Sequence, residues 1–297
     1  MQENQIIIFR PDDETYNVLM RRAVEYAILS VPFTVNRMSI DNLAQRIENI
    51  AKGKLAEYLF LEYCEENGID IDTKECTTPF YQVDKRDFLF SNFECDIKNN
   101  YFWDNKLHSS VKKLIIKFPA LIPNRHRDDQ WDKRTKSYFN RKVMFVFTFM
   151  QAGYLVDGNR QGGVVEVILS KEQGECLKRL IKHYNGCPIE KEPYTPDSFW
   201  GEFGQLKFTI RNISPLYITA YATQEHFNIF LDIGGKDVST NYQNHPFLNW
   251  YDRTRMGAKF LDGSIFTKIK NAACPIMLLP SFRELLDKLG YPRDEAF

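Results

Sequence analysis

The first strong pattern along the chain is helical. Over residues 12–29 the positions Tyr16, Leu19, Met20, Ala23 and Tyr26 recur at the three- and four-residue intervals that line one face of an α-helix. A short apolar run at residues 5–9 reads as a strand before it, and Pro32 breaks the pattern after it. Residues 40–67 carry a longer stripe through Leu43, Ile47, Ile50, Ala51, Leu55 and Leu59, with Gly68 placed to end the helix. A strand and a loop are expected over 69–83. Residues 143–150 are almost continuously apolar, as in a central strand buried on both faces. A strand over 164–169 and an amphipathic helix over 171–184 read as a continuation of the same sheet.

Three prolines (Pro188, Pro193 and Pro196) make residues 185–200 the best candidate for a boundary or long loop. Strands are expected beyond it at 206–210, 217–222 and 228–232, with Gly234-Gly235 as a turn. A closing helix over 281–289 would have Ser281 as N-cap, Glu284 completing a capping box and Gly290 at its end.

Residues 93–98 alternate strictly. Phe93, Cys95 and Ile97 fall on one side, and Glu94, Asp96 and Lys98 on the other. Side chains of a strand point to opposite faces with a period of two, so the pattern predicts a half-buried strand with a polar outer face. If Phe88-Leu89-Phe90 forms an antiparallel partner joined by a turn at Ser91-Asn92, Asp87 comes alongside Asp96 or Lys98. Magnesium takes oxygen ligands and keeps several waters, so the carboxylates of Asp87 and Asp96 plus a substrate phosphate suffice to hold it. Lys98 is placed to orient the attacking water or offset the phosphate's charge. The plainer alternative is a solvated strand edge with an ordinary ion-pair pattern.

Asp87 followed by Asp96-Ile97-Lys98 resembles the PD-(D/E)xK signature of the restriction-endonuclease-like nucleases. Arg86 stands where the proline that names the motif would be. The resemblance covers residues 43–150. It implies an α/β fold with a mixed central sheet flanked by helices, a Mg²⁺ cofactor for which Mn²⁺ can substitute, and hydrolysis of DNA. In that family a helix before the catalytic sheet often brings a glutamate to the metal. Gly53-x-x-x-Glu57 is similar, which makes Glu57 a further ligand or water acceptor, with Glu62 as its rival and a surface glutamate as the plainer reading.

Cutting both strands of a duplex with one site per chain usually takes two chains, so a homodimer is expected. By analogy alone, the role would be that of a type II restriction endonuclease or related phage-defence nuclease. The runner-up is a protein that keeps the nuclease fold and binds nucleic acid without cutting it. A third possibility is an unrelated enzyme or interaction protein in which Asp96-Ile97-Lys98 is coincidental.

Composition changes the picture in one place. The chain of 297 residues has a formal net charge of zero, but residues 98–142 hold twelve Lys or Arg against four Asp. Such a stretch beside a candidate metal site suits a phosphodiester backbone. Arg125, Arg127, Lys133, Arg134 and Lys136 are its candidate nucleic-acid contacts, and aromatics such as Trp131 and Tyr138 interleave with them. A second basic-aromatic cluster lies at residues 249–270.

The length allows a nuclease core over 1–185 and a recognition or dimerisation region over 186–297, either separate or integrated with the core. Six scattered cysteines form no CxxC pair, and Cys176, His183 and Cys187 have no fourth ligand near them for zinc. No stretch is long and apolar enough to span a membrane, and residues 1–5 do not read as a leader, so a cytoplasmic protein without a membrane partner is expected.

Overall fold

A computed structural model describes residues 1–104, 110–124, 129–156, 159–233, 251–254, 257–260, 266–267 and 269–291. The N-terminal strand β1 (Ile7–Phe9) leads into α1 (Asp13–Ser30), whose first turn is capped by the Asp12 carboxylate accepting from Thr15 N–H at 2.8 Å. Helix α2 (Leu43–Glu66) is capped likewise by Asn42. It ends where Gly68 adopts φ +61°, which lets Ile69 N–H reach back to Cys64 O at 2.8 Å.

Strands β2 (Phe88–Phe90) and β3 (Phe93–Asp104) form the antiparallel hairpin. A short helix α3 (Val111–Ile115) and strand β4 (Pro119–Pro123) follow, then the long strand β5 (Lys142–Val156), parallel to β3. β6 (Asn159–Gly162) folds back on β5.

The next strand, β7 (Val165–Ile168), does not continue this sheet. It pairs with β8 (Lys207–Ile210) in a separate ribbon, anchored to α2 where Glu48 accepts from Val167 N–H at 3.1 Å. Helix α4 (Lys171–Tyr184) has the bounds its periodicity predicts, and α5 (Pro196–Phe203) begins inside the stretch expected as a loop and runs three residues past it. β9 (Leu216–Thr223) then returns to the main sheet between β1 and β5, so residues beyond 186 help build the sheet that carries the hairpin.

Strand β10 (Leu231–Ile233) follows a 3-10 turn that occupies the start of the expected 228–232 strand. A three-stranded meander comprises β11 (Tyr251–Thr254), β12 (Gly257–Phe260) and β13 (Phe266–Thr267). β14 (Asn271–Pro275) precedes the closing helix α6 (Phe282–Lys288). Ser281 caps α6, but the side chain of Glu284 is hydrogen-bonded to Gln5 Nε2 at 2.6 Å, so the expected reciprocal box is replaced by a tie to the N-terminus.

The result is a mixed α/β fold. Its central sheet runs β1-β9-β5-β3-β2, with β5 in the middle as the apolar run predicts. One face packs on α1, α2 and α6 through Leu55, Leu59, Phe88, Cys95, Met144 and Ile218. The other face is rich in phenylalanine (Phe102, Phe145, Phe147 and Phe149) and packs on α3 and a smaller sheet, β10-β14-β4. Residues 69–83 form no strand. Only Asp72 pairs, in an isolated bridge to Leu89.

Candidate active site

The hairpin register sets the site. Phe88 faces Cys95, Leu89 faces Glu94 and Phe90 faces Phe93, with Ser91 at φ +51° making the tight turn. Asp87 lies one residue before the paired strand and bonds to the residues on either side of Asp96. Its N–H donates to Cys95 O at 2.9 Å, and its Oδ2 accepts from Ile97 N–H at 2.5 Å. The carboxylate is thereby pinned to the backbone of the strand that carries Asp96.

On that strand Lys98 Nζ lies 2.7 Å from Asp96 Oδ1 and 5.4 Å from the centre of the Phe145 ring. From α2, one turn apart, Lys54 and Glu57 pair at 2.5 Å, with the ammonium also 4.7 Å from the Tyr26 ring centre. Asp84 accepts from the Thr78 hydroxyl and from Tyr26 OH, the latter at 3.4 Å. The motif points to neither Lys54 nor Asp84. The three-residue spacing of Lys54 and Glu57 on a helix was the available signal for the first.

The electrostatics tie these groups together. Burial pushes the Asp87 carboxyl well above the usual range, and Glu57 and Asp96 push it further, with Lys98 and Lys54 only partly offsetting them. Glu57 is raised by burial against the pull of Lys54, and Asp84 and Asp96 add to the rise. Burial opposes the charge on Lys54, yet Glu57, Asp84, Tyr26 and Asp87 together hold its pKa above the ordinary lysine value. Three carboxylates thus repel one another in a half-buried place, the condition a cation relieves. The donors are all oxygen, which suits a hard divalent ion. Among the described residues no three His, Cys, Asp or Glu side chains converge tightly enough to hold an ion by themselves. Two carboxylates completed by water and phosphate are enough for magnesium.

The polar face of β3 is not solvated as the alternation predicts. Glu94 is fully buried and Lys98 is 6% exposed. The cover is the basic segment itself. Arg86, also buried, sets its Nε 3.1 Å from Glu94 Oε2 and its Nη1 4.0 Å from Asp96 Oδ2. Arg86 Nη2 donates to Lys133 O at 3.0 Å and Lys136 O at 2.7 Å. Glu94 accepts from Tyr138 N–H at 2.9 Å, and the Arg86 guanidinium lies 5.1 Å from the Tyr138 ring centre. An arginine that stood merely in place of a motif proline is therefore the bracket between the acids and the basic segment.

That segment divides. Lys133 is half-buried, and desolvation lowers its pKa although Asp96 nearby works to raise it. Arg134 is folded onto Trp131, 4.3 Å from the ring centre, and donates to Trp131 O. Lys136 is exposed beside Tyr138. Arg125 and Arg127 lie outside the described residues. Of the 249–270 cluster, Trp250, Arg255 and Lys268 do too, while Lys270 pairs with Asp232 at 2.7 Å. Arg37, which no motif marks, pairs with the buried Asp129 at 3.3 Å.

A cavity of about 640 Å³ opens beside the carboxylates, lined among others by Tyr26, Lys54, Glu57, Tyr58, Asp84 and Asp87. The chain matches no protein-family model, no curated protein and no solved structure. Among the described residues no helix is long and apolar enough to cross a membrane.

Proposed function

We propose that this chain is a metal-dependent nuclease that hydrolyses DNA phosphodiester bonds and resembles the PD-(D/E)xK enzymes. One observation carries the reading: Asp87 is hydrogen-bonded to Cys95 and Ile97, the residues on either side of Asp96, Lys98 is 2.7 Å from Asp96, and Glu57 raises the pKa of Asp87 from the neighbouring helix. A sheet order that places the Asp-x-Lys strand between its hairpin partner and a parallel strand agrees with it.

In this reading Asp87 and Asp96 would hold Mg²⁺ or Mn²⁺ together with water and phosphate, and Glu57 would accept from a metal-bound water or add a further oxygen. The bound ion supplies charge neutralisation at the phosphate and a more acidic water. The chain's own groups do the rest. The hydrogen bond from Ile97 N–H orients Asp87, and the Lys98 ammonium, beside Asp96, is the group that would orient the attacking water and offset charge on the phosphate oxygens. The Arg86–Glu94 bracket keeps Lys133 and Lys136 at the rim, where they neutralise flanking phosphates. A homodimeric, cytoplasmic restriction or phage-defence enzyme is the biological form proposed, by analogy.

The test is cleavage of plasmid and single-stranded DNA with Mg²⁺ or Mn²⁺, comparing wild type with Asp96→Ala and Lys98→Ala and an EDTA control. Cutting by wild type alone supports the reading. Equal cutting by the variants overturns the site assignment. A second reading, a non-cleaving binder, is favoured by the pairing of Glu57 and Asp96 with lysines, and it predicts salt-sensitive DNA binding without cleavage under any metal.

A further inference from the structure

The cavity beside Asp87 has a composition that the nuclease reading alone does not account for. At about 640 Å³ it falls within the range of sites that enclose a small organic group. Two tyrosines, Tyr26 and Tyr58, contribute flat walls, each braced by a cation: Lys54 at 4.7 Å from the first ring centre and Arg22 at 4.8 Å from the second. Thr77, Thr78 and Asp84 supply hydroxyl and carboxylate groups. Asp84 is held in orientation by Thr78 and Tyr26, and each of its oxygens retains a free lone pair.

The charge of the lining is the informative feature. Six acids against three bases make the cavity hostile to phosphate. The bases that would attract phosphate, Lys98, Lys133 and Lys136, are grouped instead around Asp96 and the Arg86 bracket. The two sides meet at Asp87. A nucleotide bound there has its own polarity, with an anionic backbone and a neutral base whose edge carries N–H donors. Only one orientation matches: backbone along the lysines, base toward the acids and tyrosines.

We propose that this cavity receives an unstacked nucleobase adjoining the phosphate at Asp87 and Asp96, so that the favoured substrate is single-stranded DNA or a duplex with an extrahelical nucleotide. The proposal rests on the nuclease reading and adds its substrate class. A base stacked and paired in a duplex cannot enter a side cavity without being extruded, and an unpaired base enters at least cost. Acceptor-rich walls favour the bases with an exocyclic amine, cytosine, adenine and guanine, over thymine. Stacking on Tyr58 and Tyr26 is indifferent to sequence and sets affinity.

The experiment uses the full chain and three end-labelled DNAs of one sequence: a paired duplex, the same duplex with one unpaired cytosine, and the single strand. Cleavage with Mg²⁺ is measured for each. In parallel, 5-iodocytosine replaces the unpaired cytosine, Ca²⁺ replaces Mg²⁺, and ultraviolet cross-links are mapped by peptide mass spectrometry. The expected results are faster cleavage of the bulged and single-stranded DNAs by roughly tenfold or more, and a cross-link to Tyr58 or Tyr26. Tyr58→Ala should lose that preference while Tyr58→Phe keeps it, both variants being checked for an unchanged circular dichroism spectrum. Cleavage of the paired duplex at the same rate as the others, or cross-links only elsewhere, overturns the base pocket and leaves the nuclease standing. A cross-link to Tyr58 without cleavage of any DNA keeps the pocket and overturns the nuclease. Neither cleavage nor cross-link overturns both.

Discussion

Arg86 and Glu94 form an ion pair with no solvent exposure on either side chain, Nε to Oε2 at 3.1 Å, directly beneath the acids of the candidate site. Every remaining polar atom of the pair is drawn into the chain, to Lys85 O, Lys133 O and Lys136 O from the arginine and to the Tyr138 and Phe139 amides from the glutamate. A buried pair is stable only with such complete satisfaction.

Removing one partner should therefore be costly. Glu94→Leu or Arg86→Met leaves an uncompensated buried group and is expected to lower unfolding free energy by about 3–5 kcal/mol. The double variant Arg86→Met/Glu94→Leu should lose less than the two single losses together. Urea denaturation of the four proteins measures this, and single losses below about 1 kcal/mol would show the pair to be dispensable.

Asp87→Asn should stabilise the protein when no divalent cation is present. The native carboxylate is disfavoured by burial and by Glu57 and Asp96, and the amide removes that repulsion while its oxygen still accepts from Ile97 N–H. Millimolar Mg²⁺ should raise the melting temperature of wild type, since a ligand bound only by the native state adds RT ln(1 + [L]/Kd). The rise should be much reduced in Asp87→Asn and absent in Asp96→Ala. Differential scanning fluorimetry with and without EDTA reads both effects.

Lys98→Ala should cut the cleavage rate by roughly 10²–10⁴-fold, the scale of a lost proton-transfer or charge-stabilising group. Lys98→Arg should recover little, because the buried ammonium sits 2.7 Å from Asp96 and a longer, planar guanidinium would place its charge elsewhere. Single-turnover kinetics at saturating DNA separate this loss from weakened binding.

Stability should fall on mild acidification through His226. Its Nδ1 accepts from Thr223 N–H at 3.2 Å, and burial depresses its pKa below the ordinary 6.5 against the opposing effect of Glu225. Lys142, Tyr221 and Glu225 line the same cavity of about 300 Å³. Between the folded-state pKa and 6.5 the unfolded chain binds a proton that the native chain does not, so stability decreases as pH drops through that window and then levels off. His226→Asn should flatten that part of the profile in urea denaturation at stepped pH. An unchanged slope would assign it to other groups.

Local periodicity was enough for the elements that matter most. The stripe from Leu43 to Leu59 and the terminator Gly68 marked α2, the alternation from Phe93 to Lys98 marked β3, and the apolar run after Lys142 marked the central strand. The two-residue turn at Ser91-Asn92 then brought Asp87 alongside the Cys95–Ile97 stretch that carries Asp96, since a tight hairpin leaves little choice of register. These features are legible because they depend on residues a few positions apart.

What covers an element depends on residues far away in the chain, and there the tertiary structure alone decided. The face of β3 bearing Glu94 and Lys98 alternates like a solvated strand, yet it is closed by a segment some forty residues on, held through Arg86. The 164–169 strand has the right composition for the main sheet, but β8 claims it as a ribbon over α2. The same holds for the site. Its residue types and their spacing could be read from the chain, whereas the crowding of Glu57, Asp84 and Asp87 around one cavity, with Asp96 close enough to act on Glu57, arises only when helix, hairpin and loop meet. Hydrophobic period sets which way a side chain points; charge acts through space, and only the fold sets those distances.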